Sequence, residues 1–228
     1  MILLASLASA ADLSDVFVSA LRGPPGCVEL TGEVTTTLGE TELRARLEGR
    51  LEDGSWQAIE VEALQSNPAF VVFSVVNGQE VPINMPVLGM RTADDTPVGP
   101  ALRTVQDGEL IVVGEELATT FDGMPARRLL EEIRVQSGRS EALVSLEGIA
   151  IGDTARTLEV SLVGAVASTA QGGNGRRSWP LKLLEQDVIL SWDEHGLPTR
   201  EEHRTVYGRK KHRWTTVQVI DYEPRRCP

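Results

Sequence analysis

From Val28 to Leu38 apolar and polar side chains alternate: Val28, Leu30, Val34 and Leu38 share one parity, and Glu29, Thr31, Glu33, Thr35 and Thr37 hold the other. A period of two belongs to an extended strand with one dry face and one wet face. The next segment repeats it more cleanly, with Leu43, Ala45, Leu47 and Leu51 opposed to Arg44, Arg46, Glu48, Arg50 and Glu52. Asp53-Gly54 then predicts a tight hairpin turn into a third strand, Trp56 to Leu64. Further turns are marked by Asn77-Gly78 after Phe70 to Val76, and by Asp107-Gly108 between strands at 101–105 and 110–113. Such a chain of hairpins predicts an antiparallel meander rather than a series of βαβ units.

Two segments carry a helical period instead. Leu13, Val16, Phe17 and Leu21 form one face of a short helix starting at Asp12, stopped by Gly23-Pro24-Pro25-Gly26. Asp122-Gly123-Met124-Pro125 is read as the cap of a second helix running through Ile133, because Leu129, Leu130 and Ile133 fall on one side and Pro sits early. Val81 to Pro100 holds Pro82, Pro86, Pro97 and Pro100 and is expected to be a long loop or edge covering. Strand character returns at Ser140 to Ile151 and Ala155 to Ala167. Three final strands are expected at Lys182 to Asp193, Thr199 to Tyr207 and Arg213 to Tyr222. The glycine-rich stretch from Gln171 to Gly175 invites a domain boundary, but three strands alone could not bury an inner face. Residues 11–228 are therefore expected to form one antiparallel β domain.

Composition narrows the function classes. The chain of 228 residues is 41% hydrophobic and 24% charged, ordinary globular usage that argues against intrinsic disorder. A net charge of −11 argues against a nucleic-acid partner, since phosphate contacts need a concentrated basic surface. The charge is uneven: residues 1–175 hold 11 Arg against 25 acids, a balance of −14, whereas residues 176–228 hold 11 basic residues against 8 acids, a balance of +3. Met1 to Ala10 ends in Ala8-Ser9-Ala10, which fits the cleavage pattern of a secretory signal although no basic stretch precedes it. No other stretch approaches the ~18 to 20 apolar residues of a membrane span, so a periplasmic or secreted soluble protein is expected. Export would permit Cys27 and Cys227 to pair, closing a long loop; two independent thiols are the other reading.

Candidate chemistry is sparse. No G-x-S-x-G elbow is present, and His occurs only at positions 195, 203 and 212, spaced too widely to place two imidazoles on one metal. Adjacent acids at Asp94-Asp95, Glu115-Glu116, Glu131-Glu132 and Glu201-Glu202 would point to opposite faces of a strand, and are read as solvated surface. The glycines at 172, 173 and 175 lack a P-loop Lys-Ser/Thr. No catalytic residue, metal or cofactor is expected, and an enzyme ranks last. An outer-membrane barrel is disfavoured because its aromatic girdles need more than the four Trp, two Tyr and four Phe present.

The order of elements resembles the Lol-type periplasmic lipoprotein carriers and related lipid-binding lipoproteins. The matching pieces are the helix from Asp12 to Leu21, the alternating strands Val28 to Leu38 and Leu43 to Glu52, and the turn Asp193-Glu194-His195-Gly196-Leu197-Pro198 followed by two strands ending in Asp221-Tyr222. The resemblance implies a mainly β fold: a large curved antiparallel sheet, a half-barrel or open barrel, with an N-terminal helix and one or two short covering helices. It implies an apolar or lipidic ligand in the curve of that sheet, with Trp56, Phe73, Val188, Leu190 and Trp192 as expected inner-face residues. The chain departs from the family in its few aromatic and Met residues. No lid-holding Arg can be carried over, since alternation puts Arg44, Arg46 and Arg50 on the wet face. The rival expectation is a cell-envelope interaction or assembly module, meeting a protein partner through a strand edge or the basic tip Arg209, Lys210, Lys211 and Arg213.

Overall fold

The computed structural model describes residues 12–64, 71–76, 79–81, 109–137, 140–166, 171–173 and 177–228. The leader at 1–10, the proline-rich stretch after Val81 and the strand expected at 101–105 lie outside these residues. A helix, α1 (Leu13–Arg22), precedes the strands β1 (Cys27–Leu38), β2 (Thr41–Glu52), β3 (Ser55–Ala63), β4 (Val71–Val76), β5 (Gln79–Val81), β6 (Glu109–Phe121) and β7 (Met124–Ser137). After them come β8 (Ser140–Ile151), β9 (Thr154–Val166), β10 (Gln171–Gly173), β11 (Ser178–Pro180), β12 (Lys182–Trp192), β13 (Pro198–Arg209) and β14 (His212–Arg226).

Ten strands make one antiparallel sheet in the order β3-β2-β1-β14-β13-β12-β9-β8-β7-β6, open at β3 and β6. The last three strands insert between β1 and β9, so the final hairpins complete the sheet the first ones begin. β4, β5, β10 and β11 form a separate four-stranded sheet. Alternation governs each long strand. In β1 the residues Val28, Leu30, Gly32, Val34 and Thr36 are buried, while Glu29, Thr31 and Glu33 are exposed.

One helix is observed among the described residues, and the expected second one is a strand. Asp122 and Gly123 hold φ of 50° and 76°, the mirror-image turn that matches strand twist, and Phe121 pairs directly with Met124 across it. The same Asp-Gly device, with φ of 46° and 73° at Asp53 and Gly54, joins β2 to β3. Leu129 and Leu130, read as one helical side, in fact face opposite ways on β7, and only Leu129 is buried. Sheet pairing on both sides of β7 overrides its weak helical spacing.

Helix α1 buries Leu13, Val16, Phe17 and Leu21 against the sheet. Asp15 in its first turn and Arg22 in its last complement the helix dipole. Gly23 ends it at φ 90°, with its N–H donating to the Ala20 carbonyl at 3.1 Å. Two glycines decide where the helix lies. A side chain at Gly148 on β8 would collide with the Phe17 ring, and one at Gly54 would collide with the Arg22 carbonyl. The helix therefore touches β8 and the β2–β3 turn at once. Six strand spacings separate β2 from β8, about 29 Å in a flat sheet. Phe17 and Arg22 are only about 7.5 Å apart along a helix axis. The sheet must curl around α1 to bring both arms to it.

Cys27 and Cys227 are bonded, their Cα atoms 5.3 Å apart. The register accounts for the pairing, because Val28 lies opposite Arg226 and the Cys227 N–H donates to the Cys27 carbonyl at 3.1 Å. The bridge fastens the two ends of the sheet's sequence where they already run side by side.

Replacing Gly148 by Val should lift Phe17 from the sheet and cost about 1–3 kcal/mol in urea unfolding, an overpacking penalty. Phe17→Ala alone should also destabilise, but the double variant should lose much less than the sum. Additive losses would show that the helix does not rest on Gly148.

Candidate functional site on the concave face

The inner face of the sheet divides into two chemistries along its cross-strand rows. In one row Thr36, Gln218 and His203 stand opposite one another on β1, β14 and β13, and the row continues through Val188, Val160 and Leu146 on β12, β9 and β8. In the next row Thr216 and Thr205 on β14 and β13 meet Gln186 on β12, followed by Leu162 and Val144 on β9 and β8. All of these residues are buried. In these two rows the inner face is thus polar over β1, β14 and β13 and apolar over β12, β9 and β8, with Gln186 at the seam, whereas in the neighbouring row Val34 on β1 and Ile220 on β14 run up to Glu201 on β13.

The polar side centres on Glu201 and His203, whose side chains are 0% and 1% exposed. His203 Nε2 contacts Glu201 Oε1, and the Tyr222 hydroxyl donates to Glu201 Oε2 at 3.2 Å. Burial, then the neighbouring Glu201 charge and hydrogen bond, raise the Tyr222 hydroxyl well above its ordinary value of 10.0. Thr36 donates to Gln218 at 3.4 Å and Thr216 to the Thr205 carbonyl at 3.5 Å. Three buried polar atoms on this face have no protein partner: His203 Nδ1, Thr205 Oγ1 and Trp192 Nε1.

This cluster corrects the reading of Glu201-Glu202 as solvated surface. Glu202 does face outward, pairing with Arg200 at 3.2 Å, but its neighbour is wholly buried. Strand β13 interleaves Arg200, Glu202 and Arg204 outward with Glu201, His203 and Thr205 inward. Both faces are polar, so its period carries no hydrophobic signal. His195 and His212, by contrast, are exposed as expected of turn and strand-end residues.

The expected inner-face residues separate in space. Val188, Leu190 and Trp192 are buried on the apolar side of the concave face, on consecutive inward positions of β12. Trp56 is half-buried on edge strand β3, its ring over Gly49, and packs against the same core. Phe73 belongs to β4, whose backbone pairs with Gln171 in the smaller sheet.

The basic residues Arg209, Lys210, Lys211 and Arg213 surround the β13–β14 turn and are all exposed. Lys210 holds φ 56° at the turn, and Arg213 approaches Glu185 at 3.7 Å. Trp214 stacks on His212 with ring centres 6.0 Å apart. On the outer face of the other arm, Glu147 and Glu159 sit directly opposite one another in a shallow groove with Glu115 and Glu132. Among the described residues no three acidic, His or Cys side chains converge to hold a metal ion. No helix there is long and apolar enough to cross a membrane.

No family model, curated protein or solved structure matches this chain.

Because the folded-state value of Tyr222 is raised, its contribution to stability is complete below pH 10 and is lost as pH climbs toward that raised value. In alkaline titration the phenolate absorbance of Tyr222 should therefore appear only as the protein unfolds. A Tyr222→Phe variant should keep its stability to higher pH than the wild type. Normal titration of both tyrosines in the folded protein would contradict the buried Tyr222–Glu201 contact.

Proposed function

We propose that this is a noncatalytic, exported protein that binds an apolar or lipidic ligand in the hollow of its curved sheet, with α1 as the removable cover. The observation carrying this reading is an amphipathic helix laid into the concavity of an open sheet, its apolar face on the strands that would receive a ligand. Val188, Leu190 and Trp192 supply the apolar wall there, with Trp56 on the opposite arm and Phe73 retained as a contact to be tested. The helix joins the sheet through Gly23-Pro24-Pro25-Gly26, whose two glycines hold positive φ. Cys27 begins β1 immediately beyond, fastened to Cys227, so the cover would swing from a fixed post. The disulfide also supports an oxidising compartment, periplasmic or extracellular.

Delipidated protein should bind a fluorescent fatty-acid probe saturably. Phe17→Ala should tighten the apparent affinity several-fold, because loosening the cover raises the fraction of protein open to ligand. Delipidated protein that takes up neither a fatty-acid nor a lipopeptide probe removes this reading.

A second reading rests on the exposed cations at the β13–β14 tip, concentrated there in a protein of opposite net charge. In it the tip docks an acidic envelope partner by electrostatic attraction. A protein partner captured by crosslinking, and lost when Arg209, Lys210, Lys211 and Arg213 are replaced by Glu, would favour it over the carrier.

A further inference from the structure

The chain holds three lysines, at positions 182, 210 and 211, and the fold brings all of them to one end of the large sheet. Lys182 on β12 stands opposite Gly208 on β13, which in turn stands opposite Arg213 on β14, and the Lys210-Lys211 turn follows the pair Arg209–His212. Lys182, Arg209, Lys210, Lys211 and Arg213 are all exposed. Glu185 approaches Arg213 at 3.7 Å, and from Gly208 to Thr215 the sequence holds no acid.

The backbone of this turn is costly. Four other two-residue hairpin turns among the described residues carry a glycine at positive φ, namely Gly39, Gly54, Gly123 and Gly152. Here Lys210 takes φ 56° instead. The other non-glycine residues at positive φ are Asp53 and Asp122, and aspartate tolerates that region because its short side chain bonds the local backbone. Lysine has no such compensation. Nor does packing explain the choice, because Lys210 is exposed, so the position favours charge over conformational ease.

The tip also projects. β1 ends at Leu38, opposite Thr216, so β14 runs on from Thr215 to His212 beyond the end of β1. At ~3.4 Å per residue, the Lys210-Lys211 turn leads the β1–β2 turn and its Glu40 by about 14 Å. That exceeds the screening length of about 10 Å at 0.1 M salt, so a surface meeting the tip is largely shielded from the acids behind it.

We propose that this tip docks on the surface of an anionic phospholipid bilayer. The proposal rests on the tip of the second reading above, gives it a lipid partner in place of a protein, and is independent of what the hollow binds. A stable protein interface engages about 20–30 residues a side, far more than one projecting turn presents. A charged bilayer needs no such area, since each Lys or Arg brought to it strengthens partitioning by about fivefold. Trp214, half-buried and stacked on His212 just behind the cations, is an aromatic of the kind that sits at headgroup level.

The test is co-flotation of the full-length, disulfide-bonded protein with lipid vesicles. Vesicles of phosphatidylglycerol mixed with phosphatidylcholine should carry the protein at about 0.1 M salt and release it at about 1 M, and vesicles of phosphatidylcholine alone should not carry it. Lys210→Gln with Lys211→Gln should lower the partition coefficient about 25-fold, whereas Lys210→Arg with Lys211→Arg should preserve it. Lys210→Gly should weaken partitioning about fivefold and at the same time raise the urea midpoint, a split that a purely structural role for this lysine would not produce. Equal binding to both kinds of vesicle, or partitioning unchanged by the Gln pair, would overturn the proposal. Failure to float with the anionic vesicles would overturn it as well; a protein partner captured through the same tip would then leave the second reading standing, and its absence would remove both. The fatty-acid probe reports on the carrier reading separately.

Discussion

The contact of one short helix with two distant parts of one sheet sets the shape of this protein. Phe17 rests where Gly148 leaves room on β8, and Arg22 backs onto Gly54 at the β2–β3 turn. Neither contact is unusual alone. Together they can be made only if the ten strands curl, because a flat sheet would hold those positions further apart than the helix can reach. Glycine is needed at both places for lack of a side chain, and at Gly54 also for its φ of 73°. The open edges at β3 and β6 then follow, since a helix inside the curve occupies space that a closed barrel of small radius would fill with side chains.

The curl gives the sheet an inside, and that inside has two characters. Leucine, valine and Trp192 line it over β8, β9 and β12, as burial alone would require. Over β13, β14 and β1 the interior also holds Glu201, His203, Thr205, Thr216, Gln218 and Thr36, set among Val34, Ile220 and Tyr222. A buried acid–imidazole contact is a costly way to fill a core, because desolvation offsets much of the attraction and well-packed apolar side chains commonly do as well. Here the pair carries a tyrosine hydroxyl and leaves an imidazole nitrogen open. Such an arrangement stabilises the fold less than leucines would.

Much of the fold was legible in the chain. The two-residue period of β1 and β2, the Asp53-Gly54 turn and the strands β12 and β14 are each readable because one face is dry and the turns need left-handed backbone; β13 is bounded by the turns on either side of it. At 122–133 the helical spacing of Leu129, Leu130 and Ile133 competes with Asp122-Gly123, a turn signal of the same kind as Asp53-Gly54, and the turn prevails. The site was harder to see. Val188, Leu190 and Trp192 stand out by hydrophobicity, but Glu201 and His203 lie on a strand polar on both sides, and only the register with β12 and β14 shows which side is inward. The curvature depends on Phe17 meeting Gly148 while Arg22 meets Gly54, contacts between separate segments that no local period encodes.

The curled sheet around α1 is tested most directly by nuclear Overhauser contacts from the helix in the folded protein. The Phe17 ring protons should show cross-peaks to Gly148, and in the same sample Arg22 should show them to Gly54. Detection of only one set, with the other absent at full assignment, would mean that the helix rests on a single arm of a flatter sheet, and the concave face would not exist as described.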